Sequence, residues 1–155
     1  MFKIETGENN PILRKIAEKI HWWDFKKAVK LGKEMLKYIK NPDNWWIGLA
    51  APQIWKSIKL VVLWLPKDRD DENFKYLMMI NPEILEYWKE TDIEEEWCLS
   101  IPWIKWEVER PTAIKLTYQD EKNTQNTLIL QWLPARIVQH ELDHINGKLF
   151  IDYIK

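Results

Sequence analysis

The chain has 155 residues, with 23 basic and 24 acidic side chains and a net charge of -1. This length suits a single domain over residues 1–155, and the balanced charge excludes the electrostatic pattern of a protein that binds nucleic acid or an anionic membrane. We expect a cytoplasmic protein, because no apolar run approaches the roughly 20 residues of a membrane span, the N-terminus lacks a signal-peptide pattern, and the single cysteine cannot form an internal disulfide.

Two helical segments are predicted in the first third of the chain. Residues 10–20 place apolar side chains at helical spacing after Pro11, which suits a first helical turn, and this predicts a short amphipathic segment; an extended early part is the alternative. From Asp24 a stronger apolar stripe predicts a longer helix, which the turn-forming run 41–44 ends.

Short β-branched or apolar runs predict strands in the middle of the chain. The runs 59–65 and 76–80 are typical of neighbouring antiparallel strands, and the Asn81-Pro82 pair should interrupt the second, so that 83–87 forms another strand. Further strands are predicted at 104–108, 112–118 and 127–130. A helix over 134–145 completes an α+β fold, with antiparallel strands packed around this C-terminal helix.

The C-terminal helix carries a His-Glu-x-x-His pattern at His140, Glu141 and His144. In a helix the two histidines lie on one face, where their rings can share a metal ion. Glu141 then lies beside the ion, where its carboxylate can accept a proton from a water. Such a pattern also arises by chance on charged helices, so a solvated helical face is the alternative.

Two other stretches contain a candidate metal ligand and a candidate hydrogen-bond donor. Cys98 could supply a third ligand, because one Cys and two His with an open position suit a catalytic metal; the alternative is a buried small hydrophobe. The run 47–54 combines small residues with Gln53, so a backbone can come close there and meet a side-chain donor. The alternative for this run is a tight packing contact without a ligand.

Three segments resemble, in order and spacing, the three signature motifs of peptide deformylases: 48–53, 96–100 and 139–144. The similarity extends from residues 10–14 near the start to 146–150 near the end. The resemblance implies a metal-dependent hydrolase that removes the formyl group from the N-terminal formyl-methionine of nascent polypeptides.

The resemblance also implies roles for single residues. The metal ligands would be Cys98, His140 and His144. Glu141 would be the general acid and base, while the Gln53 side chain and the Leu99 backbone N–H would stabilise the oxyanion. The substrate backbone would lie beside Gly48 and Ile47.

The cofactor and partners follow from the same resemblance. Family members typically use Fe(II), and zinc, nickel or cobalt can occupy such a site, because one Cys and two His accept several divalent ions. We expect a formyl-methionyl nascent peptide as substrate, the ribosome as a further partner, a monomer, and no direct contact with nucleic acid or membrane. Since the chain stops at Lys155, we do not expect ribosome docking through the C-terminal segment that many bacterial relatives carry.

Two alternative functions remain open from the sequence. A zinc peptidase of the HExxH kind would draw its third ligand from downstream of the helix, where Asp152 is the only carboxylate side chain. A non-catalytic domain would use Cys98, His140 and His144 for a structural metal and would need a fourth protein ligand.

Tryptophan occupies positions where the resemblance leads us to expect glycine. The chain has 11 Trp and only 4 Gly, whereas glycine averages about 7% of residues. Trp46 and Trp97 interrupt the first and second motifs, and related sequences commonly have glycine also at Trp55, Trp103, Trp106 and Trp132. We hypothesise that the gene uses UGA as a glycine codon, translated here as tryptophan; the alternative is a deformylase that truly carries these tryptophans.

Overall fold

The chain forms three α-helices and seven β-strands within residues 1–44 and 46–154, the residues that the computed structural model describes. The helices are α1 (Pro11–Arg14), α2 (Phe25–Ile39) and α3 (Leu133–Ile145). The strands are β1 (Gly48–Ala50), β2 (Leu60–Leu65), β3 (Lys75–Tyr87), β4 (Thr91–Cys98), β5 (Ile101–Pro111), β6 (Ala113–Gln119) and β7 (Gln125–Gln131). Short 3-10 helices cover Trp22–Asp24, Ala51–Ile54 and Phe150–Tyr153.

The strands form one large sheet and one separate hairpin. In the large sheet β1, β2, β3, β6 and β7 lie side by side in that order, and each neighbouring pair is antiparallel. The hairpin pairs β4 with β5, also antiparallel. This combination of helices and antiparallel strands confirms the predicted α+β fold with a C-terminal helix.

A helix covers each face of the large sheet. On one face Val61, Leu63 and Met79 are buried in a cluster with α3, and on the other face Leu60 and Ile80 are buried in a cluster with α2. Because successive residues of a strand point to opposite faces, burial of both faces explains why β2 begins as a continuous apolar run. The helix α3 is therefore held in the interior of the molecule.

The helix α3 has two different faces. Val138 and Leu142 belong to the apolar cluster that packs on the sheet. Arg136, His140 and His144 follow one another at four-residue spacing, so they share a stripe, and each contacts a residue of β4. The sequence therefore places the polar stripe of α3 against the hairpin and its apolar stripe against the sheet.

The predicted interruption at Asn81 is wrong. β3 continues through this residue, and its register against β6 shifts between Ile80 and Glu83. Asn81 has a φ of 50°, and its side chain accepts a hydrogen bond from the Ile20 N–H at 2.8 Å and donates one to the Ile20 carbonyl at 2.9 Å. Asparagine tolerates positive φ better than most residues, so the irregularity is absorbed as a β-bulge within one strand.

The first predicted helical segment is shorter than expected. α1 ends at Arg14, and the chain beyond it is extended, with the Ala17 N–H donating to the Ile145 carbonyl at 2.9 Å. Ile16 is consequently 65% exposed and does not belong to an apolar helical face.

The other predicted elements are confirmed as α2, β2, β5, β6, β7 and α3, whereas β1 and β4 are not among the predicted strands. No helix among the described residues is long and apolar enough to cross a bilayer.

Candidate metal centre

Three potential metal ligands meet where β4 packs against α3. Cys98 ends β4, while His140 and His144 lie one turn apart on α3, and the ligand atoms of the three side chains lie within 4.8 Å of one another. Cys98 Sγ is 3.2 Å from His144 Nε2. Cys98 and His144 are buried, and the His140 side chain is slightly more exposed. The structure thus brings together the three residues predicted as ligands.

Glu96 orients the ring of His140. Glu96 Oε2 lies 2.9 Å from His140 Nδ1. A neutral histidine that donates from Nδ1 to this carboxylate keeps the lone pair of Nε2 free for a metal ion. Glu96 precedes Cys98 by two residues on β4, so the two side chains point to the same face of the strand. One strand therefore carries one potential ligand, Cys98, and the group that positions another, His140.

Two buried arginines hold the Glu96 carboxylate. Arg110 donates to both oxygens, with Nε to Oε1 at 2.6 Å and Nη2 to Oε2 at 2.9 Å, and Arg136 Nη1 donates to Oε1 at 2.8 Å. Burial raises the pKa of Glu96, but hydrogen bonds from His140 and Arg110 outweigh this effect and hold the pKa well below its usual range. Glu96 is therefore a buried charge with complete pairing, the condition under which such burial is tolerated.

The same arginines connect the hairpin to α3. Arg110 of β5 donates from Nη1 to Asp143 Oδ2 of α3 at 2.9 Å. Arg136 of α3 donates from Nη2 to Asp92 Oδ1 of β4 at 2.6 Å and from Nη1 to the Val108 carbonyl of β5 at 2.9 Å. The junction between the hairpin and α3, where the potential ligands meet, is thus held by an arginine of the hairpin paired with α3 and an arginine of α3 paired with the hairpin.

Glu141 is buried directly against Gly48. Burial raises the pKa of Glu141 above its ordinary value, although His140 and His144 act to lower it. Its Oε2 has no hydrogen-bond partner among the described residues. A Cβ on Gly48 would lie 2.5 Å from Glu141 Oε1, so glycine at this position leaves room for the carboxylate. A carboxyl group in this setting is suited to take up and release a proton.

The side-chain amide of Gln53 points towards the cluster. Its Oε1 accepts a hydrogen bond from the Ala50 N–H at 2.9 Å, which leaves Nε2 3.2 Å from Ser100 Oγ and 3.7 Å from Cys98 Sγ. Leu99 lies in the turn between β4 and β5, immediately after Cys98. Gln53, Cys98 and Leu99 line the same cavity.

A cavity of about 190 Å³ leads to Cys98 and the helix α3, and part of its wall is apolar: Ile47, Leu133 and Ile137. Trp46 and Trp97 also line it, with ring centroids 5.8 Å apart and planes tilted by 56°. Typical small-molecule pockets begin at roughly 300 Å³, so the volume of this cavity is small while both indoles are present.

The side chains fit a single metal ion. One thiolate and two imidazoles make the three-ligand set of a catalytic centre, which leaves one coordination position open. Burial raises the pKa of Cys98, but His144 and His140 outweigh this effect and lower the pKa well below its ordinary value. The sulfur is therefore favoured as the thiolate, which is the form that binds metal.

Neither alternative function gains support from the geometry. In the described part of the chain no further His, Cys, Asp or Glu joins the cluster, so a fourth ligand for a structural metal is not found there. Asp152, which a zinc peptidase would need, instead accepts hydrogen bonds from Arg14 Nη1 at 2.7 Å and the Leu149 N–H at 3.0 Å.

Sequence reasoning assigned no role to Glu96, Arg110 or Arg136. The sequence could have indicated a role for Glu96, because a residue two positions before Cys98 lies on the same face of the strand once β4 is recognised. It could also have indicated that Arg136 lies near the site, because this residue precedes His140 by four residues on a helix. No sequence pattern indicates a role for Arg110, since its approach to Glu96 depends on how β5 pairs with β4.

Known proteins resemble the chain over most of its length. Residues 1–155 match the family model for polypeptide deformylase. A peptide deformylase from Synechocystis sp. is 42% identical over 125 residues, which is 81% of this chain and 65% of the relative, slightly under two thirds of its length. One from Desulfotalea psychrophila is 40% identical over 145 residues, covering 94% of this chain and 83% of the relative. The crystal structure of peptide deformylase from Thermotoga maritima has 37% identity and a TM-score of 0.85, and the match covers 100% of this chain and 98% of that chain.

Proposed function

Because the chain belongs to the peptide deformylase family, whose members are hydrolases that remove a formyl group, we propose that it deformylates the N-terminal formyl-methionine of nascent polypeptides. The observation that carries the proposal is that Cys98 and His140, which cluster with His144, line one cavity together with Glu141 and Gln53. Such a site combines metal ligands, an acid-base group and a hydrogen-bond donor, which are the parts that hydrolysis of an amide needs.

Cys98, His140 and His144 are proposed to hold the metal. Fe(II) is the ion that we propose, and zinc, nickel or cobalt also suit a set of one thiolate and two imidazoles. The chemistry that such an ion supplies when bound is that of a Lewis acid, which makes a water more acidic and a carbonyl carbon more electrophilic.

Glu141 is proposed to carry the proton. It accepts a proton from the attacking water, whose oxygen adds to the formyl carbon, and it then delivers the proton to the leaving nitrogen as the C–N bond breaks. The products are formate and a free amino terminus. The burial of Glu141, its unpartnered Oε2 and the space left by Gly48 support this role.

Gln53 and Leu99 are proposed to stabilise the negative oxygen that forms during the reaction. The hydrogen bond from Ala50 holds the Gln53 amide with its nitrogen towards Cys98, so the donor is oriented before substrate arrives. Removal of one donor of this type typically slows a reaction by about 100- to 1,000-fold.

The cavity wall is proposed to recognise the substrate. Ile47, Leu133 and Ile137 offer an apolar surface for the methionine side chain, and the backbone of Ile47 and Gly48, which lines the same cavity, is the proposed place for the substrate backbone to pair. All these groups come from one chain, so we propose that a monomer suffices. Since formyl-methionyl chains arise at the ribosome, we propose that the protein acts near it in the cytoplasm.

The proposed function is tested with three peptides of one sequence, of which the first begins with formyl-Met, the second with acetyl-Met and the third with free Met. Protein loaded with Fe(II) without oxygen should release formate and a free amine from the first peptide and leave the acetyl peptide intact. Glu141→Gln, loaded in the same way, is the matched control. Cleavage of internal peptide bonds, or no formate release by a folded and metal-loaded protein, would reject the assignment.

A further inference from the structure

Two tryptophans have backbone conformations that suit glycine. Trp55 has φ 66° and ψ 24° at the end of the 3-10 helix Ala51–Ile54, and Trp132 has φ 56° and ψ -128° immediately before α3. The first is the left-handed conformation of a glycine cap, and the second is that of the first central residue in a type II′ turn, a position dominated by glycine. A bulky side chain is a strained outlier in either conformation.

Neighbouring residues fix these two conformations. The Trp55 N–H donates to the Pro52 carbonyl at 3.2 Å. The Trp132 N–H donates to the Thr112 carbonyl at 2.7 Å, and its carbonyl accepts from the Arg136 N–H at 3.0 Å. The two side chains are 63% and 56% exposed, so burial of the indoles does not offset the strain. The backbone is arranged as if no side chain were present.

The other residues with positive φ are of the expected kinds. Across the described parts of the chain they are two glycines and two asparagines: Gly7, Gly147, Asn81 and Asn123. Glycine has no Cβ to clash, and asparagine is the side chain that most readily tolerates this region. The two tryptophans are therefore the anomaly in an otherwise ordinary set.

The remaining tryptophans show the same misfit in their packing. Besides Trp55 and Trp132, eight tryptophans lie within residues 1–44 and 46–154, and six of these are exposed. The other two, Trp46 and Trp64, are partly buried, and each leaves a buried indole N–H without a hydrogen-bond partner. Tryptophan is on average a highly buried residue whose N–H finds a partner when it is buried. The fold makes little use of these large side chains.

We propose that the protein made in its own cell carries glycine at positions 55 and 132 and, through the same codon, at positions 46 and 97. Backbone strain carries the assignment at 55 and 132. At 46 and 97, glycine would remove the two indoles that line the cavity and would let a peptide backbone reach Gly48; this step rests on the proposed function. UGA at these four codons is the expected reading of the gene, and UGG at 55 and 132 would overturn the proposal.

Mass spectrometry of peptides from the protein purified from its source cells gives the direct test. Fragment masses should place glycine at positions 55 and 132, whereas tryptophan at both positions would refute the proposal. The result is independent of deformylase activity, so it separates a failure of this proposal from a failure of the proposed function.

Variants of the tryptophan-containing chain test the physical reason. Trp55→Gly and Trp132→Gly should each raise the melting temperature on the order of 2–4 °C. Trp55→Ala and Trp132→Ala should gain less, because they remove the indole but keep the Cβ that causes the strain. Trp22→Gly removes an 82% exposed indole whose φ is not positive, and it should give no gain. Equal gains from the glycine and alanine variants would overturn the backbone argument.

Discussion

Substitution of Gly48 by alanine should separate activity from stability. The added Cβ would lie 2.5 Å from Glu141 Oε1 and 2.7 Å from its Cδ, whereas ordinary contacts begin at 3.4 Å. The carboxylate must therefore move by about 0.9 Å. Misplacement of a catalytic group by about 1 Å can cost on the order of 100-fold in rate, which corresponds to about 2.7 kcal/mol of barrier. We expect kcat/KM for a formyl-Met peptide to fall by that order.

Stability should change little in the same variant. The φ of Gly48 is not positive, so the backbone accepts alanine, and the atoms that must move, from Cγ to Oε1, all belong to the one side chain of Glu141. Gly32→Ala is the matched control, because its Cβ would lie 2.6 Å from the Met78 side chain on the other face of the sheet. Both variants are compared by thermal unfolding, metal content and kcat/KM. Normal turnover in Gly48→Ala, or equal loss of turnover in both variants, would refute the reasoning.

Four further substitutions probe the site. Glu141→Gln should keep the metal but lose most activity, because an amide cannot accept the proton, and near-normal turnover would remove Glu141 from its role. Cys98→Ser should weaken or alter metal binding, measured as metal content after dialysis, because a neutral hydroxyl replaces a thiolate. Glu96→Gln should lower the free energy of unfolding in urea by about 3 kcal/mol, because two buried arginines each lose one of their two charged partners and keep only Asp143 or Asp92. Replacing Trp46 and Trp97 by glycine should raise kcat/KM more than the same change at residues 22–23; equal gains would point to an effect on folding.

Local patterns predicted the centre of the site better than its surroundings. The spacing of His140 and His144 depends only on helix geometry, so their shared face follows from the sequence. The contact of Gly48 with Glu141 joins β1 to α3, and no local pattern encodes it. The motifs predicted which residues belong to the site, but the distances between them depend on the tertiary fold.

The strand β4 was not predicted because its sequence lacks the usual strand pattern. Its residues 91–98 contain four acidic side chains. The two buried positions at its end are Glu96 and Cys98, where an ordinary strand would have large apolar residues. Apolar alternation, the usual strand signal, is therefore weak. The prediction at Asn81 failed for the opposite reason, because the local signal was strong but misleading. Hydrogen bonds to Ile20 accommodate this turn-forming pair inside β3.

The placement of Cys98 on the separate hairpin has a consequence for how long the assembled centre persists. A two-stranded hairpin is at best marginally stable by itself, so β4 and β5 depend on their attachment to the rest of the protein through the ion pairs to α3 and a small apolar cluster that includes Leu13 and Phe150. Any local opening of this attachment carries the thiol away from the two imidazoles, which stay on the buried helix. The time for which Cys98 stays beside His140 and His144 then depends on the opening rate of the hairpin, so Arg110 and Arg136 help to keep the three side chains together.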